Sequence, residues 1–382
     1  MKISKNYILA IATMVGTIVG AGIFALPILV ARIGVWPFLF FLIALWALQY
    51  FFHKIYAMVV LSTKGMHRIP GYVEIYTGKK YKKIVSAVCL AGGYGTLLAY
   101  VILGGVFARE IFAPFFGGSV AIYSLVLFAL EAVVVLFGLK MIARAELFLT
   151  ILLLAVAALI SWKCFNNFDL QNISLTDWRL SFLLYGPIFF SLSGNIAIPE
   201  VCRLLNKEKN KIKSAIFWGT AIPAVITGLF VISVAAATGQ NTTSDTLTGL
   251  NQMFDGKIIY FALIFGLVNV FTSFLTSLQA VREIYWWDFK LSPTVSWCLA
   301  AAIPLLLFLV GVRNITAVVS LTGAVVGGAI GLIILFLAYA ALARPQKEPP
   351  FKIKISLPVV GILSVFFLAG LFYELAIFLK VL

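Results

Sequence analysis

The groups best placed to do chemistry in this chain are main-chain amides and carbonyls freed by interrupted helices. Gly16-Thr17-Ile18-Val19-Gly20-Ala21-Gly22-Ile23-Phe24-Ala25-Leu26-Pro27 lies inside the first long apolar segment, Tyr7 to Val30. Relative to alanine, an interior helix position costs about 1 kcal/mol for glycine and about 3 kcal/mol for proline. Pro27 is also expected to push Leu26 out of helical geometry. In hydrocarbon, the freed groups must be satisfied by protein, water or a ligand. A break at this depth therefore points to a binding site near the bilayer midplane. Packing alone is the other reading, because Gly16-x-x-x-Gly20 is a spacing at which helices approach closely.

A second interruption reads Tyr185-Gly186-Pro187-Ile188-Phe189-Phe190-Ser191-Leu192-Ser193-Gly194-Asn195-Ile196-Ala197-Ile198-Pro199-Glu200. Gly194-x-x-Ala197-Ile198-Pro199 repeats the pattern Gly22-x-x-Ala25-Leu26-Pro27. Interrupted helices at matching positions of two halves mark the site of secondary transporters. The half-helix after each break presents free N–H groups and a positive dipole end, which suit a carboxylate. The half-helix before it presents carbonyls and a negative end, which suit an ammonium group or a cation. A zwitterion the size of an amino acid meets both demands. A third feature is Asn269-Val270-Phe271-Thr272-Ser273-Phe274-Leu275-Thr276-Ser277. Its hydroxyls are hard oxygen donors of the kind that bind small cations, or they bond locally and across helices, as such residues often do in membranes.

The elements that carry these features are membrane helices. Of 382 residues, 62% are hydrophobic and 11% charged. Apolar runs reach the roughly 20 residues that span a bilayer. The expectation is an all-α polytopic membrane protein with eleven spans, near 7–30, 35–61, 83–113, 118–138, 143–162, 179–204, 213–239, 257–280, 292–311, 314–342 and 356–380. A short amphipathic piece is expected around Pro70–Tyr76, and the first segment reads as a retained helix. The spans form one domain over 1–382, with inverted five-helix repeats at 7–162 and 179–342 and an extra helix at 356–380. With the N-terminus inside, 22 of the 29 Lys and Arg fall on the cytoplasmic side and 7 outside. That asymmetry orients the chain and places Leu382 outside. The net charge of +15 thus belongs to loops facing anionic headgroups, with no nucleic-acid partner expected. The four cysteines have neither metal-ligand nor disulfide spacing.

The motifs resemble those of the amino acid/auxin permease family, in its hydroxy/aromatic amino acid permease-like branch. That family lies within the amino acid–polyamine–organocation superfamily, which shares the fold of the bacterial leucine transporter. Gly16 to Pro27 resembles the first-helix signature. Ala99 and Tyr100 with Gly104 and Gly105 resemble the third-helix run. Phe190 to Pro199 resembles the sixth-helix run, and Thr272-Ser273-Phe274-Leu275 the eighth. Ser193 stands where the bacterial permeases carry histidine, Ser191 where they carry glycine, and one extra residue separates Asn195 from Pro199. The resemblance implies that Gly20, Ala21 and Gly22 offer N–H groups to a substrate carboxylate. It implies that Phe190, Ser191, Ser193 and Gly194 border the amine and side-chain pocket, with Tyr100, and Phe189 or Phe190, covering the site or hydrogen-bonding to the carboxylate. It further implies a sodium site from the carbonyls of Gly16 and Val19 with the hydroxyls of Thr272 and Ser273. Proton-coupled relatives replace that ion with a charged side chain; Glu146–Trp162 contains no lysine, and the ion stays open between Na⁺ and H⁺.

The expected function is secondary active transport of an amino acid across a prokaryotic cytoplasmic membrane, by alternating access and coupled to Na⁺ or H⁺. Exchange, transport of a polyamine or other small amine, and a non-transporting sensor or channel are the alternatives. No enzyme is expected: two His and no nucleophile–base motif leave nothing to build one from. No cofactor beyond a coupling Na⁺ is implied, and the oligomeric state stays open. Glu131, within the fourth span, and Glu200, just after the second interruption, are intramembrane carboxylates and functional candidates by default. Glu200 has Arg203 at helical spacing as its bland partner. His53 and His67 are placed near the inner face, outside the site.

Overall fold

The computed structural model describes residues 4–137, 142–174, 176–206, 208–253, 257–353 and 356–378. Among these residues every regular element is helical. The chain runs α1 (Lys5–Ile18), α2 (Pro27–Ile33), α3 (Val35–Ser62), α4 (Ile69–Thr77), α5 (Lys79–Phe116), α6 (Val120–Phe137), α7 (Ile142–Phe165) and α8 (Gln171–Ser174). It continues through α9 (Tyr185–Ser191), α10 (Ile198–Leu204), α11 (Ile212–Thr238), α12 (Leu247–Met253) and α13 (Lys257–Glu283). It ends with α14 (Pro293–Leu309), α15 (Ile315–Leu321), α16 (Gly328–Ala343) and α17 (Leu357–Phe378). Six stretches, the interrupted Ser181–Leu204 among them, are long and apolar enough to cross a membrane, and the bent pair Lys5–Ile18 with Gly22–Ile33 is a seventh. Four shorter apolar helices, Val120–Leu136, Leu154–Phe165, Pro293–Leu309 and Pro358–Glu374, bring the segments to the expected eleven. The outer placement expected of Leu382 lies outside the described residues.

Local signals set the ends of these helices. Ser4 caps α1 by accepting the Tyr7 N–H at 3.2 Å, and Asn314 caps α15 by accepting the Ala317 N–H at 3.0 Å. Ser292 with Pro293 opens α14, where the missing proline N–H costs nothing. Gly34, at φ 103°, turns the chain from α2 into α3 in a conformation that L side chains avoid.

At the centre α5 and α13 lie along one another, with α6 and α14 beside them and α4 across one end of α5. α1 packs on α11, α7 and α10, while α3 packs on α11, α16 and α9. α5 has 38 residues, longer than the expected 83–113, because the lysine run at its start is already helical. Gly92, Gly93 and Gly95 do not break it. A Cβ on them would lie 2.8, 2.3 and 2.1 Å from side-chain atoms of Val326, Val281 and Thr322. They are there for close approach of neighbouring helices. Two departures from α-geometry were not foreseen. A π-helical turn at Ile284–Asp288 extends α13, and another at Thr322–Gly327 joins α15 to α16.

Candidate functional site

The two breaks have the same construction. α1 ends at Ile18, and the Val19 N–H still reaches back to Val15 O at 2.9 Å. Gly20 is extended, a 3-10 turn follows at Ala21–Ala25, and α2 starts at Pro27. α9 ends at Ser191, Gly194 precedes a 3-10 turn at Asn195–Ala197, and α10 begins with Pro199 inside its first turn. Leu26 keeps helical geometry, φ −86° and ψ −39°, against expectation. The prolines are helix starters here; the glycines, with the tight turns after them, make the breaks.

Both breaks face one cavity of about 350 Å³. Gly20, Gly22, Tyr100, Phe189, Phe190, Ser191 and Ser193 line it. Ala21 belongs to the 3-10 turn between the two glycines. Gly194 does not line the cavity, and its N–H is taken by His53 Nε2 at 3.1 Å. The fit across the breaks is close: a Cβ on Gly22 would lie 2.3 Å from Ser191 Oγ, and one on Gly20 would lie 3.0 Å from the Tyr100 hydroxyl.

The four residues named for an ion are only partly gathered. Ser273 lines the cavity, whereas Thr272 Oγ1 donates to Asn269 O at 3.1 Å and lies outside the lining. Gly16 on α1 and Val19 just after it are buried, also outside the lining. α1 and α13 share no extended contact among the described residues; Thr13 and Thr17 of one helix and Ser273, Thr276 and Ser277 of the other line the same cavity. No group of three or more His, Cys, Asp or Glu converges among the described residues, so any cation held here would be held by hydroxyls and carbonyls.

Several lining residues went unread in the sequence. Thr13 and Thr17 sit one turn apart on α1, with Thr17 Oγ1 on Thr13 O at 2.8 Å. That spacing was a usable signal. Thr322, Gly323 and Gly327 come from the π-turn, which no periodicity announces. Asn195 lines the cavity, and its Oδ1 is buried without a hydrogen-bond partner. His53 stays outside the cavity lining, but it is fully buried and its Nε2 accepts the Gly194 N–H at the second break. Glu131 is fully buried, with neither oxygen hydrogen-bonded.

Access is one-sided. Beyond the first break the ring of Phe24 meets Phe107 at 5.2 Å and Phe230 at 5.9 Å, and Thr246 Oγ1 donates to Phe24 O at 2.6 Å. At the other end the cavity reaches Arg68, Glu200 and Gln279. Glu200 takes the bland reading in part, pairing with Arg203 at 2.6 Å while lining the mouth. Arg68 donates to Glu283 Oε2 at 2.8 and 3.1 Å and to Ile196 O at 3.1 Å, tying the start of the second half-helix to α13 through the chain before α4.

The sequence pattern of the tryptophan/tyrosine permease family matches residues 4–374. Tyrosine-specific transport system 1 of Haemophilus influenzae is 24% identical over 228 residues, 59% of this chain. That stretch spans 56% of the relative's own length. Among solved structures, the inward-facing conformation of Mhp1 superimposes with a TM-score of 0.71 at 13% identity, covering 97% of this chain and 89% of that one. MhsT in complex with L-phenylalanine gives 0.69 at 16% identity, covering 99% of both chains. The manganese transporter of Eremococcus coleocola gives 0.69 at 12% identity, covering 98% of this chain and 87% of that one. These likenesses show the fold, which is the leucine-transporter fold expected from the motifs.

Proposed function

The chain belongs to the tryptophan/tyrosine permease family, and from that premise we propose that it is a secondary transporter of an aromatic amino acid. It moves its substrate by alternating access, with the repeats 7–162 and 179–342 as the two halves. The observation that carries this reading is the meeting of two helix breaks in one cavity that is closed at Phe24 and open at Arg68. The substrate carboxylate lies on the amides around Gly20–Gly22, at the N-terminal end of the half-helix that follows. The ammonium group takes Asn195 Oδ1 and carbonyls at the end of α9. The aromatic ring lies beside Phe190 and Val326, along the cavity wall to which Gly92 and Gly93 also contribute. The relative described as tyrosine-specific and the L-phenylalanine complex of MhsT support the choice of substrate class. The protein is integral to the membrane. The basic loops, and with them the open end of the cavity, face the cytoplasm of a prokaryotic cell. Within the superfamily we place it in the hydroxy/aromatic amino acid permease-like branch of the amino acid/auxin permeases, and we assign it no catalytic residue.

Thermal stabilisation of the purified protein tests the reading. A ligand that binds only the folded state at 100 times its Kd adds about 2.7 kcal/mol. L-Tyrosine, L-tryptophan or L-phenylalanine should raise the melting temperature where L-lysine and putrescine do not. Stabilisation by putrescine alone would transfer the site to the small-amine class. Coupling is read in the same assay with sodium or choline as the cation and with pH varied. Where stabilisation follows sodium rather than pH, the hydroxyls of Thr272 and Ser273 and the carbonyls of Gly16 and Val19 are its proposed ligands. Thr272→Ala with Ser273→Ala should then weaken the sodium dependence of uptake about tenfold, the effect of losing roughly 1.4 kcal/mol of cation binding. Unchanged sodium dependence would remove these hydroxyls from the ion site.

A further inference from the structure

The second break is held from behind by one face of α3. Gln49 and His53 lie four residues apart, on the same helix face, and are 1% and 0% exposed. Gln49 Nε2 donates to the carbonyl of Phe189 at 3.2 Å. The Gly194 N–H donates to His53 Nε2 at 3.1 Å. The two bonds bracket the interruption: one holds a carbonyl near the end of α9, the other an amide just before the next turn. Gly194 fills the gap between α1 and α3, since a Cβ there would lie 2.7 Å from Ile18 Cγ1 and 3.4 Å from His53 Cε1. Gln49 Oε1 and His53 Nδ1 have no partner. Each side chain is therefore buried at an uncompensated cost while making one bond, and in both cases that bond goes to the break.

We propose that Gln49 and His53 are positioning residues for transport. They set the spacing between Phe189 and Gly194, and so place Phe190, Ser191, Ser193 and Asn195 around the cavity. Neither lines the cavity, so neither touches the transported molecule. Because Nε2 accepts, His53 is neutral and carries its proton on Nδ1. Protonation would turn the acceptor into a donor and break the bond. The role in transport rests on the function proposed above; the bracing of the break does not.

The test uses the full-length protein with His53→Leu, His53→Gln and Gln49→Leu. L-Tyrosine and L-tryptophan uptake is measured in proteoliposomes, and amide hydrogen exchange is followed over residues 190–196. Loss of a bond to a buried group should raise KM about tenfold in His53→Leu, change kcat less, and speed exchange in that segment by a similar factor. Glutamine offers an acceptor oxygen, so His53→Gln should recover most of both losses. Wild-type KM and exchange in His53→Leu would overturn the proposal. Equal impairment of the Leu and Gln variants would also overturn it, by assigning the effect to ring volume. If His53→Leu does not fold, Gln49→Leu carries the same two readouts through the Phe189 bond. If the wild type takes up neither amino acid, the transport reading fails, and the exchange measurements still decide whether α3 braces the break.

Discussion

Gly22→Ala should cut amino-acid uptake by about 5- to 150-fold, the range that 1–3 kcal/mol of overpacking produces. The added methyl would stand 2.3 Å from Ser191 Oγ, 2.9 Å from its Cβ and 2.8 Å from its Cα. Turning the serine side chain relieves only the first of these clashes, so one backbone must move away from the other. The segments forced apart are the two breaks, and the proposed carboxylate and ammonium contacts separate with them. The chain should still fold, because the strain is confined to a wall of the cavity rather than spread through the α5–α13 centre. A second variant isolates the cause. Ser191→Gly in the Gly22→Ala background removes the Oγ and Cβ clashes, leaves the methyl close to the main chain of residue 191, and should recover part of the uptake. Wild-type uptake by Gly22→Ala, measured in proteoliposomes at matched protein content, would show that the breaks need not be in contact.

Arg68→Ala should shift the protein away from the arrangement described here. Arg68 gives two bonds to Glu283 and one to Ile196 O, and the Glu283 side chain is only 10% exposed. Removing the guanidinium leaves that carboxylate with Gln279 Nε2 at 3.1 Å as its remaining partner. A charge-assisted bond to a partly buried group contributes about 2 kcal/mol. An equilibrium that moves by this amount changes about thirtyfold. The readout is a cysteine placed at Thr96, which lines the cavity, probed with a membrane-impermeant thiol reagent from the side on which Arg68 lies. Labelling should slow by roughly that factor if the three bonds form only in this arrangement. Arg68→Lys should not restore it, because a single ammonium cannot reproduce the forked contact. Unchanged labelling in Arg68→Ala would mean that Arg68 holds α13 and the second half-helix equally in every arrangement.

Much of this architecture was legible in the residues. Span positions follow from apolar runs, because a helix in hydrocarbon must satisfy its own backbone. Both breaks were legible because Gly20, Gly22, Gly194, Pro27 and Pro199 are expensive inside a helix. What those residues do was less legible: a proline five residues after a glycine reads as part of the interruption, yet Pro27 and Pro199 lie in the first turns of helices. Gly92, Gly93 and Gly95 carry the same composition signal and produce no break, because their function is to admit Val326, Val281 and Thr322.

By itself, then, the sequence determined the class of the protein, its helical spans, the two interruptions and their kinship. All of these depend on local cost: apolar length, helix propensity and repeated spacing along one strand of chain. Only the tertiary structure decided which residues meet. It brought His53 and Gln49 from α3 onto a break about 140 positions away, as the sequence separations of 140 and 141 record. It put Arg68 across the cavity mouth and left α1 and α13 facing each other across open space. A polar side chain in an apolar helix carries no mark of its partner, because the bond that justifies its burial is made by a group far along the chain.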